Sequence, residues 1–533
     1  MTRNVAGCLA AAGWLLLDVG SAVAQQPSLV PDEVERIVAQ AAAEAQRLGL
    51  AAQIAVTDQE GNILARFRMD GAREDTVVRP LPDDPGVYGE GLVGVSLPAS
   101  FAAVTKAGTA AFLSTGGHAF STRTASFIIQ DHFPPLVEFT PGGPLFGVQF
   151  SSLPCSDFKA PLLPAGLAGD PGGLPLYKEG RVVGGIGVEG DGIYTVDPDP
   201  TDADLSPEEL AALAGARGFE PPDGIQADFI LADGIRLPYA NGVPGQATSP
   251  GAGSYLEGPR GTQPRAFTPV TVGTFQGAAD PRFPVRAGSV LSAEDVTTIL
   301  EQGARQAERT RAAIRRPLGS AAQITVVVVD VDGSPLGNLR TLDAPVFGFD
   351  VAAQKARTAV FFSGAGAAED LRAAGLAFYL DSEVPLDGSV AYSTRAVGFM
   401  AQPFFPPGIP DTDAGPLSVP RAEWSPFNTG LQLDVVRDKL DEFLATLEPP
   451  GTCSAAIPRL KNGITIFPGG VPLYKDGHLA GAVGVSGDGV DPDDLIASAG
   501  SAGYEAPPEI RCDRLSVRGV RLPWVKFPRH PDL

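Results

Sequence analysis

Apolar and polar positions along the chain fall into a series of elements that occurs twice in the same order. Val34, Ile37, Val38 and Ala41 recur at helical spacing and predict a helix near 31–48. Ser292, followed by Asp295 and then by Val296, Ile299 and Leu300, predicts a second helix with a capped start. An apolar run comes next in each case, Ile54 to Val56 and Ile324 to Val329, and an acidic turn ends it: Asp58-Gln59-Glu60-Gly61 and Asp330-Val331-Asp332-Gly333. Both predict a hairpin. A further helix carries Thr105-Lys106-Ala107-Gly108-Thr109-Ala110, which answers to Gln354-Lys355-Ala356-Arg357-Thr358-Ala359. Ala119-Phe120-Ser121-Thr122-Arg123 with Phe133-Pro134-Pro135 answers to Ala391-Tyr392-Ser393-Thr394-Arg395 with Phe405-Pro406-Pro407.

The last pair of strands is the plainest. Leu174 to Tyr177 and Val182 to Val188 flank Lys178-Glu179-Gly180, while Val471 to Tyr474 and Leu479 to Val485 flank Lys475-Asp476-Gly477. These read as tight hairpins. Ser206-Pro207-Glu208-Glu209 then opens a closing helix with cap, first-turn proline and acid in order. Order is kept while spacing drifts, as divergent duplication with unequal loops leaves behind. The expected organisation is a signal segment at 1–24, one α/β module at 28–240, a Gly/Pro-rich linker at 241–286 and a second module at 287–533. Each module is expected to be a small antiparallel sheet with helices against it.

Composition narrows the function. The 533 residues are 44% apolar and 19% charged, enough for a real core, and the 64 Gly and 50 Pro imply long turn-rich loops. The net charge of −22 disfavours nucleic acid and anionic lipid surfaces as partners. Arg3, the apolar stretch Leu9 to Leu17 and Ala22-Val23-Ala24 read as a removable secretory signal, and no later apolar stretch is long enough to span a membrane. The mature protein is therefore expected to be exported, periplasmic or extracellular. Of the cysteines that then remain, Cys453 and Cys512 share the C-terminal half and are the expected disulfide, leaving Cys155 free.

The Lys-Ala-x-Thr-Ala segment, together with Gly172-Gly173-Leu174-Pro175-Leu176-Tyr177-Lys178-Glu179-Gly180 and its counterpart from Gly469 to Gly477, resembles the GlcG/HbpS-like (DUF336, heme-binding) family in tandem. The resemblance implies a profilin-like or PAS-like module, commonly oligomeric, and a role in binding heme or a related tetrapyrrole. Long insertions around Val77 to Pro98 and Gly364 to Val390 set this chain apart from compact members.

A heme site needs an apolar slot, an axial ligand and cations for the propionates. His118 and His132 bracket the Arg123 motif and are the candidate metal ligands, confined to the first copy. Lys106, Thr109, Arg123 and Tyr177, with Lys355, Thr358, Arg395 and Tyr474, are the recurring candidates for ligand contact. For each a structural role competes: surface or loop imidazoles, carboxylate-paired cations, a Pro-rich loop tied down by arginine, and core tyrosines.

Gly185-Ile186-Gly187-Val188-Glu189-Gly190 matches the dinucleotide string but lies inside a hairpin strand, where glycines permit close packing instead. Asp197, Asp199, Thr201 and Glu208 mimic calcium-loop spacing with Asp202 where glycine is required. No catalytic constellation assembles from the sequence. The leading expectation is an exported, non-catalytic heme-binding protein. The alternatives are a duplicated structural or interaction module whose halves pair internally or form oligomers, and a heme-processing enzyme.

Overall fold

The computed structural model describes residues 27–79, 90–159, 161, 163–197, 199, 202–246, 251–425, 427 and 430–526. The signal at 1–24 and part of the calcium-like loop lie outside these residues. Two antiparallel sheets organise the chain. The first runs Gly253–Glu257, Ile63–Met69, Gln53–Asp58, Arg181–Glu189, Gly173–Lys178. The second runs Thr268–Val272, Phe275–Ala279, Pro335–Arg340, Ile324–Val329, His478–Gly487, Gly470–Lys475.

Both faces of each sheet are covered, so the central strands Gln53–Asp58 and Ile324–Val329 are buried throughout instead of alternating. On one face of the first sheet the helices Pro31–Leu48 and Pro207–Gly215 pack over Ile54, Val56 and Ile186. On the other, Ala99–Phe112 presses Ala103 and Ala107 against Ala55. The second sheet is sandwiched in the same way by Ala293–Arg309 with Val490–Gly500, and by Phe347–Phe362. The predicted helices and hairpins thus form, including the Ser292–Asp295 capping box.

Glycine sets the distance between helix and sheet. A Cβ on Gly185 would stand 2.0 Å from the Ala107 carbonyl oxygen, one on Gly187 2.1 Å from that of Ala103, and one on Gly484 2.0 Å from that of Ala352. The dinucleotide-like string is therefore a packing surface.

Two expectations fail. The stretch 241–286 is no plain linker: Gly253–Glu257 pairs with Ile63–Met69, and Thr268–Val272 forms a hairpin with Phe275–Ala279, which joins the second sheet at Ala278 and Arg340. The outer two, Gly253–Glu257 and Thr268–Val272, are edge strands held by backbone hydrogen bonds and largely exposed, so they carry little apolar alternation. The disulfide is Cys155–Cys453, and Cys512 is a buried free thiol that donates to the Pro523 carbonyl. Proximity in sequence misled, because the inserted loops of the two halves pack on each other.

One hydrophobic cluster runs through both sets of loops, with Phe146 stacked on Trp424 at 5.6 Å. Beside the disulfide, Asp350 accepts from the Ser152 amide and Ser156 hydroxyl, and Arg357 grips Asp157 with two nitrogens. Phe158 lies between Phe283 and Phe349, 4.4 Å from each. The halves therefore pair inside one chain. Among the described residues no helix is long and apolar enough to cross a membrane.

Peptide mapping of unreduced protein should recover Cys155 linked to Cys453, with Cys512 as a free thiol; a Cys453–Cys512 peptide would contradict the fold. Replacing Cys155 and Cys453 together by Ser should lower the unfolding free energy by about 2–4 kcal/mol.

Candidate functional site

The recurring cations are turned inward. Lys106 is fully buried, its Nζ 2.5 Å from Glu208, 2.9 Å from Glu189 and 3.0 Å from Asp170. Glu208 also accepts from the amides of Gly190 and Asp191, which ties the closing helix to the sheet. The three carboxylates could gather a metal ion, but the ammonium already stands among them. Burial opposes the Lys106 charge, yet the carboxylates outweigh it and raise its pKa well above the ordinary value. Burial and the neighbouring Glu189 push Glu208 up to about 8, and burial raises Asp170 and Glu189 as well. One ammonium facing three carboxyls keeps part of the cluster protonated near neutrality.

The second half holds a reduced version. Lys355 Nζ lies 2.8 Å from Asp493, donates to the Val485 carbonyl, and sits 5.0 Å over the Phe467 ring. Phe467 and Ser486 occupy the positions of Asp170 and Glu189. Burial outweighs the remaining carboxylate, so the Lys355 pKa falls while that of Asp493 rises to about 7.

The other recurring residues also hold the fold together. Arg123 is buried against Glu209, Asp197 and Asp204, whereas Arg395 pairs with Asp494 and Asp491 and stays partly exposed. The Thr109 and Thr358 hydroxyls each donate to the carbonyl one turn back and accept a loop amide, from Ala168 and Thr465. The Tyr177 hydroxyl donates to the carbonyls of Thr115 and His118. Tyr474 is buried with no hydrogen-bond partner for its hydroxyl.

The histidines separate. His132 contacts the Thr140 carbonyl through Nδ1 and stacks on Phe404. His118 instead lines a cavity of about 90 Å³ where the halves meet, walled by Leu113, Phe120 and Ile128 from one side and Ile314, Phe347 and Val490 from the other. Its Nδ1 lies 3.1 Å from Thr115 Oγ1, which already accepts from the Gly117 amide and from Arg315. The threonine hydrogen is left for Nδ1, which assigns the ring proton to Nε2. Nε2 is buried without a hydrogen-bond partner; the Leu113 carbonyl is near enough to favour the proton but not in bonding geometry. Burial and the Arg315 guanidinium hold the imidazole well below its ordinary pKa, so it is neutral.

This cavity shares Pro144, Asp233, Val490 and Asp491 with an open one of about 260 Å³, whose walls carry Arg395 and Lys526. Arg315 and Lys526 escaped the sequence reading because the junction is built from positions that do not correspond between copies. Repetition marks what each half needs, and the cleft belongs to neither alone.

Residues 29–78 and 435–502 match the family model described as haem degrading protein HbpS-like. The first segment holds the opening helix and hairpin of one half, the second the closing hairpin and helix of the other, so the chain resembles that family in two regions. No curated protein matches. Among solved structures, the chain is similar to a Klebsiella pneumoniae protein, ORFY, of family DUF336 (19% identity, 36% of this chain, 91% of that chain, TM-score 0.23). It is also similar to a PduOC:heme complex (19%, 41%, 97%, TM-score 0.22) and to a double mutant of Streptomyces reticuli HbpS (20%, 40%, 98%, TM-score 0.21).

Glu208 has a folded-state pKa raised above its ordinary 4.5, so its contribution is full below about pH 4.5 and is lost as pH rises through about 8. Calorimetry from pH 5 to 8 should show a falling midpoint whose slope flattens in Glu208→Gln; an unchanged slope in the variant would contradict this. Lys106→Met, which strands buried carboxylates, should cost about 3–5 kcal/mol in denaturant unfolding.

Proposed function

We propose that the chain binds heme or a related tetrapyrrole without transforming it, and that the seat is the cleft where the halves meet. One observation carries the reading: a neutral, buried imidazole that lines the cavity between the halves and whose Nε2 has no hydrogen-bond partner. A neutral imidazole is the form that ligates iron. His118 would hold the metal, the apolar walls would enclose the macrocycle edge, and Arg395 and Lys526 would face its carboxylates. Ligation by Nε2 requires the proton to move to Nδ1, which lies 3.7 Å from the Asp488 carboxylate, the acceptor that would take it. Bound heme would supply a redox-active iron in surroundings largely screened from water.

Each cavity falls below the roughly 300–1,000 Å³ of common ligand pockets, so both are needed and the Pro141–Phe146 segment between them has to yield. The charged groups of the open cavity pair with carboxylates, Arg395 with Asp491 and Asp494 and Lys526 with Asp491, which supports holding over turnover. The description of the matched family and the PduOC:heme complex support the ligand class.

The matching order of the two sheets supports a tandem duplication of one profilin-like module, paired internally. Export is supported by the signal-like residues 1–24 and by a disulfide of the kind that persists in oxidising compartments. A second reading, an interaction module without a small ligand, is favoured by the burial of Lys106, Lys355 and Arg123 in internal ion pairs.

Titration of the full chain with hemin should give a stoichiometric Soret shift that is altered in position and at least tenfold weaker in His118→Ala. No shift at stoichiometric hemin would overturn the proposal and leave the second reading standing.

A further inference from the structure

A separate cavity of about 50 Å³ lies away from the cleft and shares none of its lining residues. The strands Asp75–Val78 and Ser96–Pro98 contribute Val78 and Leu97 to its wall, and the helix Arg437–Thr446 of the other half contributes Leu440 and Leu444. Among its lining residues none is charged, and two are polar at the tip: Gln149 and Tyr194. Both side chains are more than nine-tenths buried, and the Gln149 amide nitrogen, the Gln149 amide oxygen and the Tyr194 hydroxyl all lack hydrogen-bond partners.

Buried polar groups are ordinarily satisfied, and three unpartnered atoms on two residues that line one apolar cavity call for a complement. Gln149 offers a donor and an acceptor side by side, which fits a head group that carries both. A carboxylate anion does not suit: it has no donor, no cation lines the cavity, and burial holds the Tyr194 phenol protonated, helped by Asp170 and opposed by Lys106. The remaining wall is aliphatic and aromatic. Its volume is a few times the roughly 10–15 Å³ that one water needs, so the tail must be short.

We infer that this cavity is a binding site for a small neutral amphiphile, a short hydrocarbon tail bearing one primary carboxamide, with Gln149 and Tyr194 reading the head group. The site is independent of the cleft. Its occupant bridges the halves, because Leu440 and Leu444 come from one and Gln149 and Tyr194 from the other.

Butyramide is the probe. Calorimetric titration of the full chain should show saturable binding that weakens at least tenfold in Gln149→Leu and several-fold in Tyr194→Phe, and that His118→Ala leaves unchanged. Crystals soaked in butyramide should show the carboxamide against Gln149 and Tyr194, and the Gln149→Leu variant should prefer 1-chloropentane to the amide. If Gln149→Leu fails to fold, Tyr194→Phe and the soaked crystal carry the test. Ordered water alone in the cavity at saturating butyramide, or equal affinity in wild type and both variants, would overturn the inference.

Discussion

The close seating of a helix on a glycine-bearing strand is the constraint from which the rest follows. Because Gly185 and Gly187 let the carbonyls of Ala107 and Ala103 come within reach of the strand, the helix Ala99–Phe112 lies flat on the sheet and carries Lys106 into the interior. A buried ammonium has to be met by carboxylate, and Glu208 meets it from the closing helix while also capping the Gly190–Asp191 turn. Helix, strand and closing helix are thereby fastened by one charged group. The second half keeps the geometry through Gly484 and Lys355 but has exchanged two of the three carboxylate positions for Phe467 and Ser486.

That exchange separates structural from functional demand. An excess of buried carboxyl over ammonium in the first half is tolerated only by retaining protons, whereas the second half approaches a one-to-one pair. Neither arrangement presents a cation to a ligand. In the proposed reading, anion recognition would fall instead to Arg395 and Lys526, the cations of the open cavity beside that of His118.

Much of the fold was legible in the sequence: the Pro31–Leu48 helix from Val34, Ile37, Val38 and Ala41, the capped start at Ser292, and the glycine-turn hairpins. The edge strands at 253–257 and 268–272 were not, since a mostly exposed strand has little apolar pattern. Nor was the Cys155–Cys453 bond, because its partners lie in loops brought together only by packing between the halves. The site was legible in part. His118 was singled out by residue type, but its neighbours Thr115, Arg315 and Phe347 come from segments with no shared motif. Most of the recurrent residues read as ligand contacts, Lys106, Lys355, Thr109 and Thr358 among them, pin loops or are neutralised by carboxylates, whereas Arg395 lines the open cavity.

The central claim is that ligand chemistry resides at the junction of the halves and not in the recurring lysine motif. Nitrogen-15 NMR of the full chain, recorded before and after addition of a diamagnetic metalloporphyrin, tests it most directly. The account predicts a His118 that is still neutral and protonated on Nε2 below the ordinary imidazole pKa of 6.5, whose ring signals move on addition while the Lys106 ammonium stays as it was. A His118 ring that is charged near neutrality, or one that stays fixed while Lys106 responds, would contradict it.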